Sequence, residues 1–203
     1  RRARPSVVVS TLNGLAGNMA FFASLRAVIS AAELPSLSFS IGAPEARAMS
    51  RLGQPLMGEY AGWTWLPDAN DAEADSLWTS FRLWATAAGV ARAELPDGLT
   101  DPMVSAIAGV RLWARAASAV AMGGGGVTLS AALAGSSTPA PGGRLFVDRE
   151  NQHLWHPLVV GQFGADAQLN PVFRTALAQR PRPYPAFRSR ASWERILAAA
   201  DSA

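Results

Sequence analysis

The sequence of 203 residues has no cysteine, no lysine and only two histidines, His153 and His156. The absence of cysteine removes disulfides, thiolate metal sites and a thiol nucleophile, and it leaves the redox compartment open. No uninterrupted apolar run reaches the roughly 18–20 residues of a membrane span, so none is expected. Charged residues are few, at 16%, while apolar residues make up 49%. That balance excludes disorder of the whole chain and supplies enough apolar surface for a core. All 18 basic residues are arginine. Six of them lie from Arg174 onward, against two acids; the rest of the chain holds twelve arginines and thirteen acids. The body is therefore close to neutral. A nucleic-acid surface, which needs a basic face with interleaved aromatics, is not expected. The chain opens on Arg1 without a methionine. It is expected to be a fragment or a processed form, so a missing leader says nothing about export.

The order of patterns along the chain is strand, helix, strand, helix. Residues 7–11 are a β-branched run ended by Asn13-Gly14, and an apolar helical pattern covers 19–32. Pro35 opens a second strand over 36–41. A helix over 44–51 follows, with proline early, where its missing N–H is harmless. Consecutive apolar residues in the strands suit a parallel sheet with right-handed crossovers. Residues 56–66 read as a third strand, 72–88 as a helix, and 101–121 as another, with Asp101 as its N-cap and Pro102 behind it. Gly123-Gly124-Gly125-Gly126 interrupts the chain before a short helix over 128–134. A Ser/Pro/Gly linker spans 136–143. Short strands over 144–147, 158–163 and 169–173 then read as an antiparallel meander. An Arg/Pro-rich tail ends in a short helix over 193–200.

Each candidate for chemistry has a plain alternative. His153 and His156, with Asp148 and Glu150 upstream, could suggest a metal site. They lie in an irregular link without a third ligand at fixed spacing, so they read as turn histidines. The glycine run lacks the lysine and hydroxyl of a phosphate loop and follows a helix. No nucleophile elbow or serine triad can be assembled. The strand ends are more informative, because open α/β sheets bind ligands outside the carboxyl ends of their strands. Ser10 and Thr11 end the first strand; Ser38 and Ser40 end the second. Their hydroxyls can donate to and accept from a neutral polar ligand. Tyr60, Trp63 and Trp65 could supply an aromatic edge to the same cleft.

Several segments resemble a known family. Ser10-Thr11-Leu12-Asn13-Gly14 with Asn18 and Phe21-Phe22, then Leu37-Ser38-Phe39-Ser40-Ile41 with Glu45, are similar to two βα units of urea and short-chain amide binding proteins. Pro55-Leu56-Met57-Gly58-Glu59-Tyr60-Ala61-Gly62-Trp63 resembles their hinge stretch. Asp101-Pro102-Met103 with Gly109 and Leu112-Trp113 resembles the helix that follows. Asn151-Gln152-His153, Pro157, Gly161 and Ala165-Asp166-Ala167-Gln168 resemble a closing motif that normally has glycine where this chain has Ala167. The resemblance runs over residues 6–175. Leu15-Ala16-Gly17 replaces an expected acid, which weighs against urea itself.

The resemblance implies an α/β fold, the C-terminal portion of a two-lobed type I periplasmic-binding-protein fold, with parallel units and a terminal antiparallel meander. Residues 1–54 would belong to the C-terminal lobe, 55–140 to the N-terminal lobe and hinge crossovers, 141–175 to the C-terminal lobe again, and 176–203 to the tail. The implied role is binding a small neutral amide or urea-like ligand for an ABC permease in the periplasm, without catalysis, cofactor or metal. The tail, with Pro183-Tyr184 and Trp193, resembles instead the cytoplasmic amide sensor of amidase operons, an antitermination regulator, which is the alternative. A dimer is compatible with either. Ser10, Thr11 and Ser40 are expected to face the ligand, with Tyr60 or Trp63 at the edge of the cleft, and Asn151-Gln152-His153 in a structural turn away from it.

Overall fold

The computed structural model of the chain describes residues 5–68, 70–123, 126–184 and 186–200. β1 (Val8–Ser10), α1 (Leu15–Arg26), β2 (Ser36–Ser38), α2 (Ala43–Arg51) and β3 (Tyr60–Trp63) form a βαβαβ unit. The three strands are parallel neighbours, with Ser10 opposite Ser38 and Ser38 opposite Ala61. β7 (Val159–Phe163) joins β3 antiparallel, and β8 (Leu169–Arg174) pairs with β7, giving the order β1-β2-β3-β7-β8. Pro171 is tolerated in β8 because that strand is an edge.

Between β3 and β7 the chain leaves this sheet. It forms α3 (Ala72–Ala87), α4 (Asp101–Met122), α5 (Leu129–Leu133) and a second sheet of β4 (Ser137–Ala140), β5 (Gly143–Val147) and β6 (Leu154–Trp155). Each sheet has its own core. Phe22, Ala46 and Met49 from α1 and α2 pack with Ala61, Val159, Phe163 and Leu169 of the first sheet. Val104 and Ala108 of α4 pack with Ala140 and Leu145 of the second, together with Trp65 after β3 and Ala74 of α3.

Five sequence expectations are corrected. The helix predicted over 19–32 begins at Leu15 and ends at Arg26. Arg26 Nη1 binds the carbonyls of Ile29 and Leu34 at 3.1 and 3.0 Å, which holds the following residues in turns. The presumed linker contains β4, which pairs with β5 through Thr138–Leu145 and Ala140–Gly143. The meander is divided: β5 lies in the second sheet, while β7 and β8 extend the first. Asp101 is not the N-cap of α4; Thr100 is, and the Asp101 carboxylate turns outward to other donors. α4, at 22 residues, has the length and apolar composition of a membrane-crossing helix, contrary to the sequence reading. Here it is a core helix. Val104, Ala108, Leu112 and Ala116 are buried, and Arg111 and Arg115 donate to the carbonyls of Pro139 and Ser137. Gly124 and Gly125 of the glycine run lie outside the described residues.

Candidate functional site

The carboxyl ends of β1, β2 and β3 meet the start of α4 at a cavity of about 380 Å³. Phe39, Ser40, Glu45 and Trp63 contribute from the first sheet and α2; Trp65, Thr100 and Asp101 contribute from the opposite side. The site thus lies between the first sheet and the start of α4, at the edge where parallel strands expose their backbone ends.

Local chemistry fixes each wall. Phe39 follows β2 and its ring lies directly over Gly62, where a β-carbon would stand 2.8 Å from Phe39 Cε1. The absence of a side chain at Gly62 therefore seats the ring, which is 45% exposed. Trp63 donates its indole N–H to Ile41 O at 3.1 Å, which holds it against the α2 loop. Trp65 donates its indole N–H to Asp71 Oδ2 at 3.3 Å. Asp101 Oδ1 accepts from Thr64 N at 3.1 Å, Thr64 Oγ1 at 2.5 Å and Trp65 N at 2.7 Å. That single oxygen ties the exit of β3 to the first turn of α4. Glu45 Oε2 accepts from Gly42 N at 3.0 Å and so caps α2.

The predicted residues divide by position. Ser40 and Trp63 line the cavity. The Ser40 hydroxyl donates to Leu12 O, so the β2 end is fastened to the β1 loop. Ser10 is buried at the same edge and its hydroxyl accepts from Leu12 N at 3.4 Å. Thr11 is exposed there, one residue past Ser10. Tyr60 opposes Leu37 and Gln162, at the opening of β3 rather than at its carboxyl end. It does not line the cavity. Sequence reasoning missed Phe39, whose signal was an aromatic residue between two strand-end serines, and Asp101, which looked like an ordinary cap.

A larger cavity of about 930 Å³ lies along β5, between Trp155, Pro157 and residues 174–178. It reaches the carboxyl end of β3 through Thr64 and Trp65, but no residue from the ends of β1 or β2 lines it, whereas Asn13, Phe39 and Ser40 line the smaller one, so general α/β geometry favours the smaller one as the ligand site. At its rim Asp148 accepts from Arg180 Nε at 2.7 Å, Trp155 Nε1 at 3.0 Å and the backbone N–H of Glu150 and Asn151. The Arg180 guanidinium holds this carboxyl well below the usual carboxylate range, and the other donors add to it against burial. Burial lowers the pKa of His156, partly offset by Asp101. His156 pairs with Gln179 through the backbone, while His153 is exposed in the turn that Asp148 organises. No group of three metal-ligating side chains occurs among the described residues.

An open α/β sheet with a cavity at the carboxyl ends of its parallel strands, linked to a second sheet-and-helix unit, defines an α/β protein whose strand ends are open to a ligand. The chain belongs to the family of the periplasmic binding protein domain, which matches residues 1–190. A search of curated proteins finds no match. Among solved structures the chain is similar to a solute-binding protein of an ABC transporter from Rhodopseudomonas palustris HaA2, in complex with p-hydroxybenzoic acid. The TM-score is 0.60 at 18% identity, covering 86% of this chain and 46% of that one. An amino acid ABC transporter substrate-binding protein from Pseudomonas fluorescens Pf-5 gives 0.57 at 16% identity, over 88% and 46%. An ABC-type branched-chain amino acid transporter protein from Rhodopseudomonas palustris CGA009 gives 0.52 at 14% identity, over 89% and 46%. The chain thus spans about half the length of these structures. The likeness carries the fold: α/β, a portion of a two-lobed periplasmic-binding-protein architecture.

Proposed function

We propose that this chain carries part of the ligand cleft of a solute-binding protein that delivers a small molecule to an ABC permease in the periplasm. The carrying observation is the cavity at the carboxyl ends of β2 and β3, closed from the far side by Thr100 and Asp101. A ligand held there touches both units, so binding favours the closed arrangement. Family membership and the ABC-transporter neighbours support the role. The ligand is a small, uncharged, planar molecule of the amide or urea type. Among the described residues no arginine or histidine lines the cavity, and Ser40, Asn13 and Thr100 offer neutral hydrogen-bonding groups. Isothermal titration of the protein in its full natural length with acetamide, butyramide and urea tests this. Saturable binding without ammonia release is expected; steady ammonia release would make it an enzyme.

The residues proposed to meet the ligand are Ser40 and Trp63, with Ser10 and Thr11 behind them; the position of Tyr60 leaves it out. Removing a buried hydrogen-bonding partner costs about 1–3 kcal/mol, roughly five- to two-hundred-fold in affinity. Ser40→Ala is expected to lose that much, measured by the same titration. Thr11→Val, at an exposed position outside the cavity, is expected to lose less. A second reading is a small aromatic ligand, favoured by the walls of Phe39, Trp63 and Trp65.

A further inference from the structure

We infer that the cleft selects against carboxylates and for planar ligands that donate N–H groups, with Asp101 as the residue that sets this preference. The inference rests on the proposed ligand-binding role and narrows its ligand class. It follows from how the hydrogen-bonding groups of the cavity are already used. Three of its donors are spent within the chain: Trp63 Nε1 on Ile41 O, Trp65 Nε1 on Asp71 and the Ser40 hydroxyl on Leu12 O. Its carboxylates keep acceptor capacity. All three bonds to Asp101 fall on Oδ1, which leaves Oδ2 for a ligand. The bond to Glu45 falls on Oε2, which leaves Oε1. Ser40, having donated, can only accept. Asn13, Thr100 and Gln168 keep both kinds of group.

The charges agree with this count. The two ionisable residues lining the cavity are both acids, and no described lining residue is a cation. A ligand carboxylate would meet two like charges, whereas an amide NH₂ meets several acceptors. Phe39, seated on Gly62, and the Trp63 indole provide faces for a planar group.

The test compares three probes of one shape, benzamide, benzamidinium and benzoate, by titration of the full natural-length protein. Benzamide and benzamidinium are each expected to bind at least fivefold more tightly than benzoate. A ratio below fivefold for either, or tighter binding of benzoate, overturns the inference while leaving the ligand-binding role intact. Binding of none of these probes nor of the short amides overturns the role itself. Asp101→Asn should lower the benzamidinium-to-benzoate ratio at least fivefold. Should that variant not fold, Glu45→Gln, which retains an acceptor for Gly42 N, should lower the ratio at least twofold. An unchanged ratio in the variant that folds assigns the preference elsewhere and overturns the role of this cavity in it.

Discussion

Glu59 is 2% exposed at the opening of β3, and its carboxylate is filled. It accepts from Arg26 Nε at 2.5 Å and Nη2 at 2.8 Å, and from Ser36 N at 3.0 Å and Oγ at 2.8 Å. One ion pair thereby joins α1, the turns after it, β2 and β3. Breaking such a buried pair from one side costs about 3–5 kcal/mol, a large share of a typical 5–15 kcal/mol. Glu59→Ala should lose that much in urea unfolding; a loss under about 1 kcal/mol would mean that water replaces the carboxylate at Arg26. Asp148 makes a different kind of prediction. Its pKa is depressed in the fold, chiefly by Arg180. The stability it contributes is therefore present above the ordinary aspartate value of about 3.9 and is lost as pH falls below it. The Trp155 indole N–H, which donates to Asp148 at 3.0 Å, reports this. Its NMR resonance should move only at pH values below that ordinary value, and Asp148→Asn should abolish the movement.

At the level of elements, two glycines of the first sheet show how contact decides cost. A β-carbon on Gly161 would lie 2.5 Å from Leu169 Cγ and 3.0 Å from Leu66 Cδ1, both in the core. Gly161→Ala should cost about 1–3 kcal/mol by overpacking, read from thermal or urea unfolding. Gly62→Ala meets the Phe39 ring, which is partly in solvent and can swing aside. That variant should lose less than about 1 kcal/mol of stability yet weaken ligand binding, because the ring leaves its seat. The turn between β7 and β8 holds Ala167 at φ 58°, a left-handed conformation. The elements most legible in the sequence were those with strong local signals: β1 before Asn13-Gly14, α2 with Pro44 in its first turn, and α3 from its helical spacing. Those set by distant partners were not legible. The end of α1 depends on Arg26 and carbonyls beyond it, and the sheet that β5 or β7 joins depends on register with strands far away in the chain.

For the whole molecule, strand order in the sequence placed Ser10, Ser38 and Ser40 at one carboxyl edge of the sheet, where the register has Ser10 opposite Ser38. It could not show the opposite wall. Thr100 and Asp101 reach the cavity only through the crossover after β3, which no local pattern encodes. The same topology leaves one feature that bears on behaviour in solution. α1 and α2 cover one face of the first sheet, through Phe22, Ala46 and Met49. Strand alternation and register put Val9, Leu37, Phe39 and Phe173 on the other face. There Val9 is 59% exposed, Phe39 45% and Phe173 52%. Parallel strands are found almost only with both faces covered, and contiguous apolar surface of this kind drives association. The chain of 203 residues on its own should therefore self-associate, with light scattering after size exclusion giving a mass that rises with concentration. Val9→Lys together with Phe173→Lys should restore a monomer if this face is responsible. Association unchanged by those substitutions would place the contact on another surface, such as the exposed Trp84 and Trp113 of α3 and α4.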